Sequence, residues 1–270
     1  MHDRVCIGSI CFPGESLEAV AGHWRELKPP RVSLVSYTIA EAGLPAVRDV
    51  ITGEGFRLEN VTHPVLGMRP LSDRTLWPQA RETLSDVIGA VEALGGHSIY
   101  MLTGGHGQLA WEDAAEAFCE LIAPAVAQAR DAGVKLMIES ASPVFADLHI
   151  AHSLRDVAHL ADMAGIGVCI DVFTCWTEAG LKQTIERAAP NCHLVQLSDH
   201  KLGERSPPNR AVPGDGDIPL KQILGWVLDA GYAGAFDFEL LGPRIDSEGR
   251  VAACRRTAEW LGDFLAERGE

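Results

Sequence analysis

Gly133-Val-Lys-Leu-Met-Ile-Glu139 and Gly165-Ile-Gly-Val-Cys-Ile-Asp171 share one construction. Each opens on glycine, runs through mostly apolar residues and ends on an acid. The glycine supplies the left-handed turn that closes a helix. The apolar run suits a strand buried on both faces, as in a parallel sheet. The stretch between them is long enough for the helical crossover that parallel strands require.

The pattern extends in both directions. Strands are expected at Arg4–Ser9, Arg31–Ser36, Phe56–Val61, Ser98–Leu102, Val134–Glu139, Ile166–Asp171, Cys192–Leu197 and Gly234–Leu240. Amphipathic helical patterns fall at Leu17–Leu27, Ala46–Thr52, Trp77–Leu94, Trp111–Ala132, Leu148–Ala164, Leu181–Ala189 and Leu220–Ala230. Val251–Arg268 reads as a last helix closing the chain. Successive strands start about 33 residues apart, which suits one βα unit. Eight units without a break in composition predict a single (β/α)8 TIM barrel over residues 1–270. An open doubly wound sheet is disfavoured because no G-x-G-x-x-G follows the first strand.

The 270 residues include 23 Lys and Arg against 37 Asp and Glu, for a net charge of −14. That balance argues against nucleic acid as a partner, because binding its phosphates needs clustered cations. No apolar run reaches the roughly 18 to 20 residues that span a bilayer, so no membrane partner is expected. The first residues lack a basic start before a long apolar stretch, so no signal peptide is expected. Seven cysteines without a C-x-x-C pair read as reduced core thiols of a cytoplasmic protein.

Acids or an amide recur at the C-terminal ends of four consecutive strands: Glu139, Asp171, Gln196 and Glu239. In a barrel those strands are neighbours, and that end carries the active site. Three carboxylates brought together with no Lys or Arg on the same strand ends raise one another's pKa, which a divalent cation relieves. Four oxygen donors favour a hard ion, Mg²⁺ or Mn²⁺. The competing reading makes each acid a cap on the helix that follows.

His106, in Thr103-Gly-Gly-His106-Gly, is a further acid/base candidate. His63 and His200 follow the third and seventh strands and are candidate substrate contacts. Trp77, Trp111 and Trp176 follow the third, fourth and sixth strands, where an indole can stack on a ligand. His149, His152 and His159 share the fifth helical pattern and are expected on a solvated face, while His23 and His97 read as structural. The long connections 62–76 and 198–219 are candidate lids.

Met137-Ile-Glu139, Ile170-Asp171, Val195-Gln196-Leu-Ser-Asp199, Arg210-Ala-Val-Pro-Gly-Asp-Gly-Asp217-Ile and Asp237-Phe-Glu239 resemble the xylose isomerase-like TIM-barrel superfamily of sugar isomerases and epimerases. The resemblance runs from the first strand to the last helix and is strongest from Val134 to Leu241. It implies one divalent metal held by Glu139, Asp171, Gln196 and Glu239. Gln196 replaces the commoner His, as in the hydroxypyruvate isomerase branch, which hardens the site towards Mn²⁺ or Mg²⁺ and away from Zn²⁺. By the same resemblance, Glu139 and Glu239 exchange protons with the substrate and Arg210 contacts its oxygens. The implied reaction is isomerisation or epimerisation of a small sugar-like hydroxy-carbonyl compound through an enediolate.

A lyase resembling dehydroshikimate dehydratases is the alternative, since it shares the first proton removal. Thr174 stands where many epimerases carry a His, so that His's role does not transfer. Relatives often associate as dimers or tetramers, which makes a homo-oligomer an expectation. The barrel's apurinic endonucleases need extra histidines and a basic surface that this acidic chain lacks.

Overall fold

The computed structural model describes residues 1–270. Its first half comprises β1 (Val5–Gly8), α1 (Leu17–Leu27), β2 (Arg31–Val35), α2 (Ser36–Ala42), α3 (Leu44–Ile51), β3 (Leu58–Pro64), α4 (Trp77–Ala93), β4 (Ser98–Leu102), α5 (Trp111–Asp131) and β5 (Lys135–Ile138). The second half comprises α6 (Leu154–Ala164), β6 (Gly167–Asp171), α7 (Val172–Cys175), α8 (Leu181–Ala188), β7 (Cys192–Leu197), β8 (Asp199–His200), β9 (Arg210–Ala211), α9 (Leu220–Asp229), β10 (Phe236–Phe238), α10 (Pro243–Glu248) and α11 (Arg250–Arg268). Eight parallel strands close into a barrel in the order β1-β10-β7-β6-β5-β4-β3-β2. The antiparallel pair β8–β9 lies outside it, within the connection that follows β7.

Strand alternation sorts the side chains. Cys6, Tyr100, Met137, Cys169, Leu194 and Ala235 form a separate buried cluster, contributed by or just before six of the barrel strands. Residues of opposite parity, such as Ile7, Ile138, Ile170 and Phe238, join the helices in the main core. The seven cysteines are all free, and five of them are buried. No helix is long and apolar enough to cross a membrane.

Besides the short α7, α10, β8 and β9, which the sequence did not suggest, three elements differ from the sequence expectation. One helix was expected at Ala46–Thr52, but two occur, because Gly43 at φ 79° interrupts the chain between α2 and α3. The third strand runs on to Pro64, which puts His63 inside it. The helical pattern Leu148–Ala164 is helical only from Leu154, where Ser153 Oγ accepts the Asp156 N–H as the N-cap.

That last difference corrects the reading of two histidines. His149 is fully buried, not on a solvated face. Its ring accepts the Thr103 N–H at Nδ1 (3.0 Å) and reaches the Glu139 carbonyl from Nε2 (2.7 Å). His152 is half-buried against the Ala141 carbonyl (3.0 Å). Only His159 lies exposed on the helix.

His63 is also buried, with Nδ1 2.9 Å from Ser36 Oγ and no partner for Nε2. Burial lowers its pKa from the ordinary 6.5 to about 4. The unfolded chain therefore binds more protons between those values. The neutral ring's contribution is complete above pH 6.5 and is lost as the pH falls towards 4. Compared with His63→Gln, wild-type stability in urea titrations should fall by about 2 kcal/mol between pH 7.5 and pH 5. Parallel pH profiles for the two proteins would contradict this.

Candidate active site

Asp171 ends β6 and lies opposite Gln196 of β7, which in turn lies opposite Asp237 of β10. Glu139 follows β5 and Glu239 follows β10, so both project at the barrel mouth. Glu139, Asp171 and Glu239 each bring a carboxylate oxygen within 4.8 Å of the others, with Glu139 and Asp171 buried and Glu239 nearly so. At an effective dielectric near 20, each such pair repels by about 3 kcal/mol.

Arg210 answers part of that repulsion. Its Nη1 lies 3.2 Å from both Asp171 oxygens and 3.0 Å from Ser198 Oγ. Its Nη2 reaches Glu239 Oε1 at 2.8 Å, and the guanidinium lies 3.9 Å from the centre of the Phe173 ring. A cation therefore does sit among the strand-end acids, supplied by the loop after β7 rather than by a strand end.

Glu139 is not bonded to Arg210. Burial first, and Glu239 and Asp171 next, raise its pKa well above the usual carboxylate range. Burial also raises Glu239, to about 7, although Arg210 pulls the other way. Asp171 plays both parts considered from the sequence, since its Oδ1 also caps α7 by accepting the Phe173 N–H at 3.0 Å.

Two buried oxygens in this group have no hydrogen-bond partner: Glu139 Oε2 and Gln196 Oε1. Gln196 spends its amide N–H on Tyr100 Oη at 3.1 Å, which leaves the oxygen free. Unpartnered buried oxygens are costly and call for a donor or a cation. Counted as ionised, three carboxylates and one guanidinium leave two negative charges. The residues present thus fit a divalent cation.

Above the cluster opens a cavity of about 600 Å³ lined by Glu139, Asp171, Glu239, Arg210, His200 and Trp176, among others. His200 stands edge-on to Phe173, with ring centres 5.5 Å apart.

His106, His63 and Trp111 do not line this cavity. The His106 loop is pinned to the connection after β3, with Leu71 N donating to Gly105 O at 2.8 Å. A Cβ at Gly105 would meet the Ala146 and Asp147 carbonyls at 2.8 Å, so its glycine serves loop packing. His63 turns to Ser36, and Trp111 gives its N–H to the Ile150 carbonyl (2.9 Å) and stacks on His159. Trp77 is buried under Arg74.

Asp199 was not assigned a role from the sequence, yet it organises the loop that carries Arg210. Its carboxylate accepts the N–H groups of His200, Gly214, Gly216 and Ile218 at 2.8 to 3.1 Å. A Cβ on Gly216 would fall 2.1 Å from Asp199 Oδ1. The available signal was the Pro213-Gly-Asp-Gly216 turn, but the partner of its amides lies fifteen or more residues upstream.

The chain matches the family profile of the xylose isomerase-like TIM barrel over residues 18–264. It belongs to that family. Among solved structures, a Sinorhizobium meliloti 1021 protein is similar with a TM-score of 0.84 at 22% identity, covering 95% of this chain and 97% of its own. The IolI protein, solved with a zinc atom, gives 0.82 at 11% identity with 98% of both chains covered. D-psicose 3-epimerase from Clostridium cellulolyticum H10, solved with D-tagatose, gives 0.78 at 13% identity, covering 97% and 98%. No curated protein matches the chain in sequence. Identities this low establish the shared fold and leave the chemistry to the site.

Asp199→Ala removes the shared acceptor of the loop amides. Hydrogen exchange at Gly214, Gly216 and Ile218 should quicken by on the order of tenfold, with a loss of about 1 to 3 kcal/mol in stability. Exchange at Met101 in β4 should keep its rank as slow. Unchanged loop exchange would show that Asp199 does not order this turn.

Proposed function

We propose that this protein is a divalent-metal-dependent isomerase or epimerase of a small sugar-like hydroxy-carbonyl compound, acting through an enediolate. The observation that carries this reading is the pair of unpartnered buried oxygens, Glu139 Oε2 and Gln196 Oε1, beside two further carboxylates. Glu139, Asp171, Gln196 and Glu239 would hold the metal. Their all-oxygen donor set favours Mn²⁺ or Mg²⁺ over Zn²⁺. A bound divalent cation supplies Lewis acidity towards negative charge that develops on the substrate oxygens.

The remaining work falls to side chains of this chain. Glu139, raised by burial and free of Arg210, takes the proton from the carbon beside the carbonyl. Glu239 follows β10, which β6 and β7 separate from β5, so it approaches the substrate from another side and can return a proton there. Arg210 pairs with Asp171 and Glu239 and adds positive charge near the reacting oxygens. His200 and Trp176 bound the space above. The D-psicose and L-ribulose 3-epimerases among the structural neighbours are consistent with proton exchange next to a carbonyl. The free thiols fit a cytoplasmic setting.

Incubation with Mn²⁺ and a panel of hydroxy-ketones in deuterium oxide tests the reading. One deuterium should enter beside the carbonyl of an accepted compound, and Glu139→Gln should slow this at least a hundredfold, within the range seen for general bases. A product lighter by one water would instead mark the lyase reading. Absence of label from every compound would overturn enediolate chemistry.

A further inference from the structure

The walls of the cavity differ in chemistry from its floor. Glu139, Asp171 and Glu239 form the floor, whereas Phe145, Leu148, Trp176, Pro207, Pro208 and Leu241 stand around it. Val144 in the same wall is 67% exposed, one of few large apolar side chains so open to water.

Arg205, Ser142 and Thr177 also line the cavity, while several of its other polar groups are already engaged. Ser140 Oγ lies 2.6 Å from Thr174 Oγ1, which also donates to the Asp171 carbonyl at 3.0 Å. His200 Nδ1 faces the Asn209 carbonyl at 3.4 Å, and Asn209 donates its side-chain N–H to the Glu204 carbonyl at 2.9 Å. A polyol lying against Trp176, Phe145 and Leu148 would leave water without gaining partners there for its hydroxyls, which weakens binding. An apolar ring loses nothing of that kind and gains by covering Trp176 and Phe145.

Size points the same way. A volume of about 600 Å³ lies in the range that holds drug-sized ligands. A hydroxy-carbonyl group at the carboxylates occupies only the bottom of it.

We infer that the substrate joins its hydroxy-carbonyl head to a flat apolar arm, an aryl ring or one of similar shape, lying against Trp176, Phe145 and Leu148. The inference rests on the isomerase reading for the head and adds the arm. Trp176 and Phe145 are then specificity-determining residues, outside the proton transfer itself.

Calorimetry on the full chain with Mn²⁺ separates head from arm, using three 2-hydroxy acids that share one head. Lactate carries no arm, 3-phenyllactate an aryl arm, and gluconate a polyol arm. Phenyllactate should bind at least tenfold more tightly than lactate, and gluconate should show no such gain. Trp176→Ala and Phe145→Ala should each bring phenyllactate towards the affinity of lactate while leaving lactate unchanged, which also shows that the variants fold. Lactate binding without a gain from the phenyl group, or a gain only with gluconate, would overturn the arm and leave the isomerase reading intact. Failure of all three to bind would overturn both.

Discussion

Glu139, Asp171 and Glu239 crowd their oxygens within 4.8 Å at the floor of the cavity in the barrel mouth. Three mutual repulsions of about 3 kcal/mol each are comparable to the whole stability of an ordinary domain. The molecule keeps the cluster by bringing in Arg210, whose backbone pairs with His200 in the β8–β9 ladder and donates to the Leu241 carbonyl, while Asp199 gathers the amides of the loop that follows. The compensation is partial. With all three ionised, two negative charges and two bare oxygens remain, and that unsatisfied charge is what the site offers a cation.

Much of this was legible in the chain, for a physical reason. Parallel strands buried on both faces must be apolar throughout, so an acid ending Lys135-Leu-Met-Ile-Glu139 or Gly167-Val-Cys-Ile-Asp171 stands out as a group at the rim. The barrel and the strand-end acids follow from that contrast. Arg210 was visible by its place after the seventh strand, but its bonds to Asp171 and Glu239 depend on a loop path that no period encodes. The histidines show the opposite failure. His149 has helical spacing to His152 and His159, yet Ser153 starts the helix after it, and the ring is drawn inward to bridge Thr103 and Glu139. His106 sits among glycines that look suited to a ligand, and those glycines are needed for three loops to pass closely.

The two halves of the cavity divide the tasks of recognition. On the proposed reading, charge and free oxygens at the floor fix the reacting head. The aromatic and aliphatic walls act through covered area, which is less directional and selects by size and polarity. One barrel can keep such a floor and change its walls by altering the connections after β5, β6 and β7.

Anomalous diffraction at the manganese edge, from crystals grown with Mn²⁺, tests the central claim most directly. The expected result is a single strong peak in contact with Glu139 Oε2, Gln196 Oε1, Asp171 and Glu239. A peak elsewhere, or none while Arg210 keeps both of its carboxylates and the two oxygens stay bare, would contradict it.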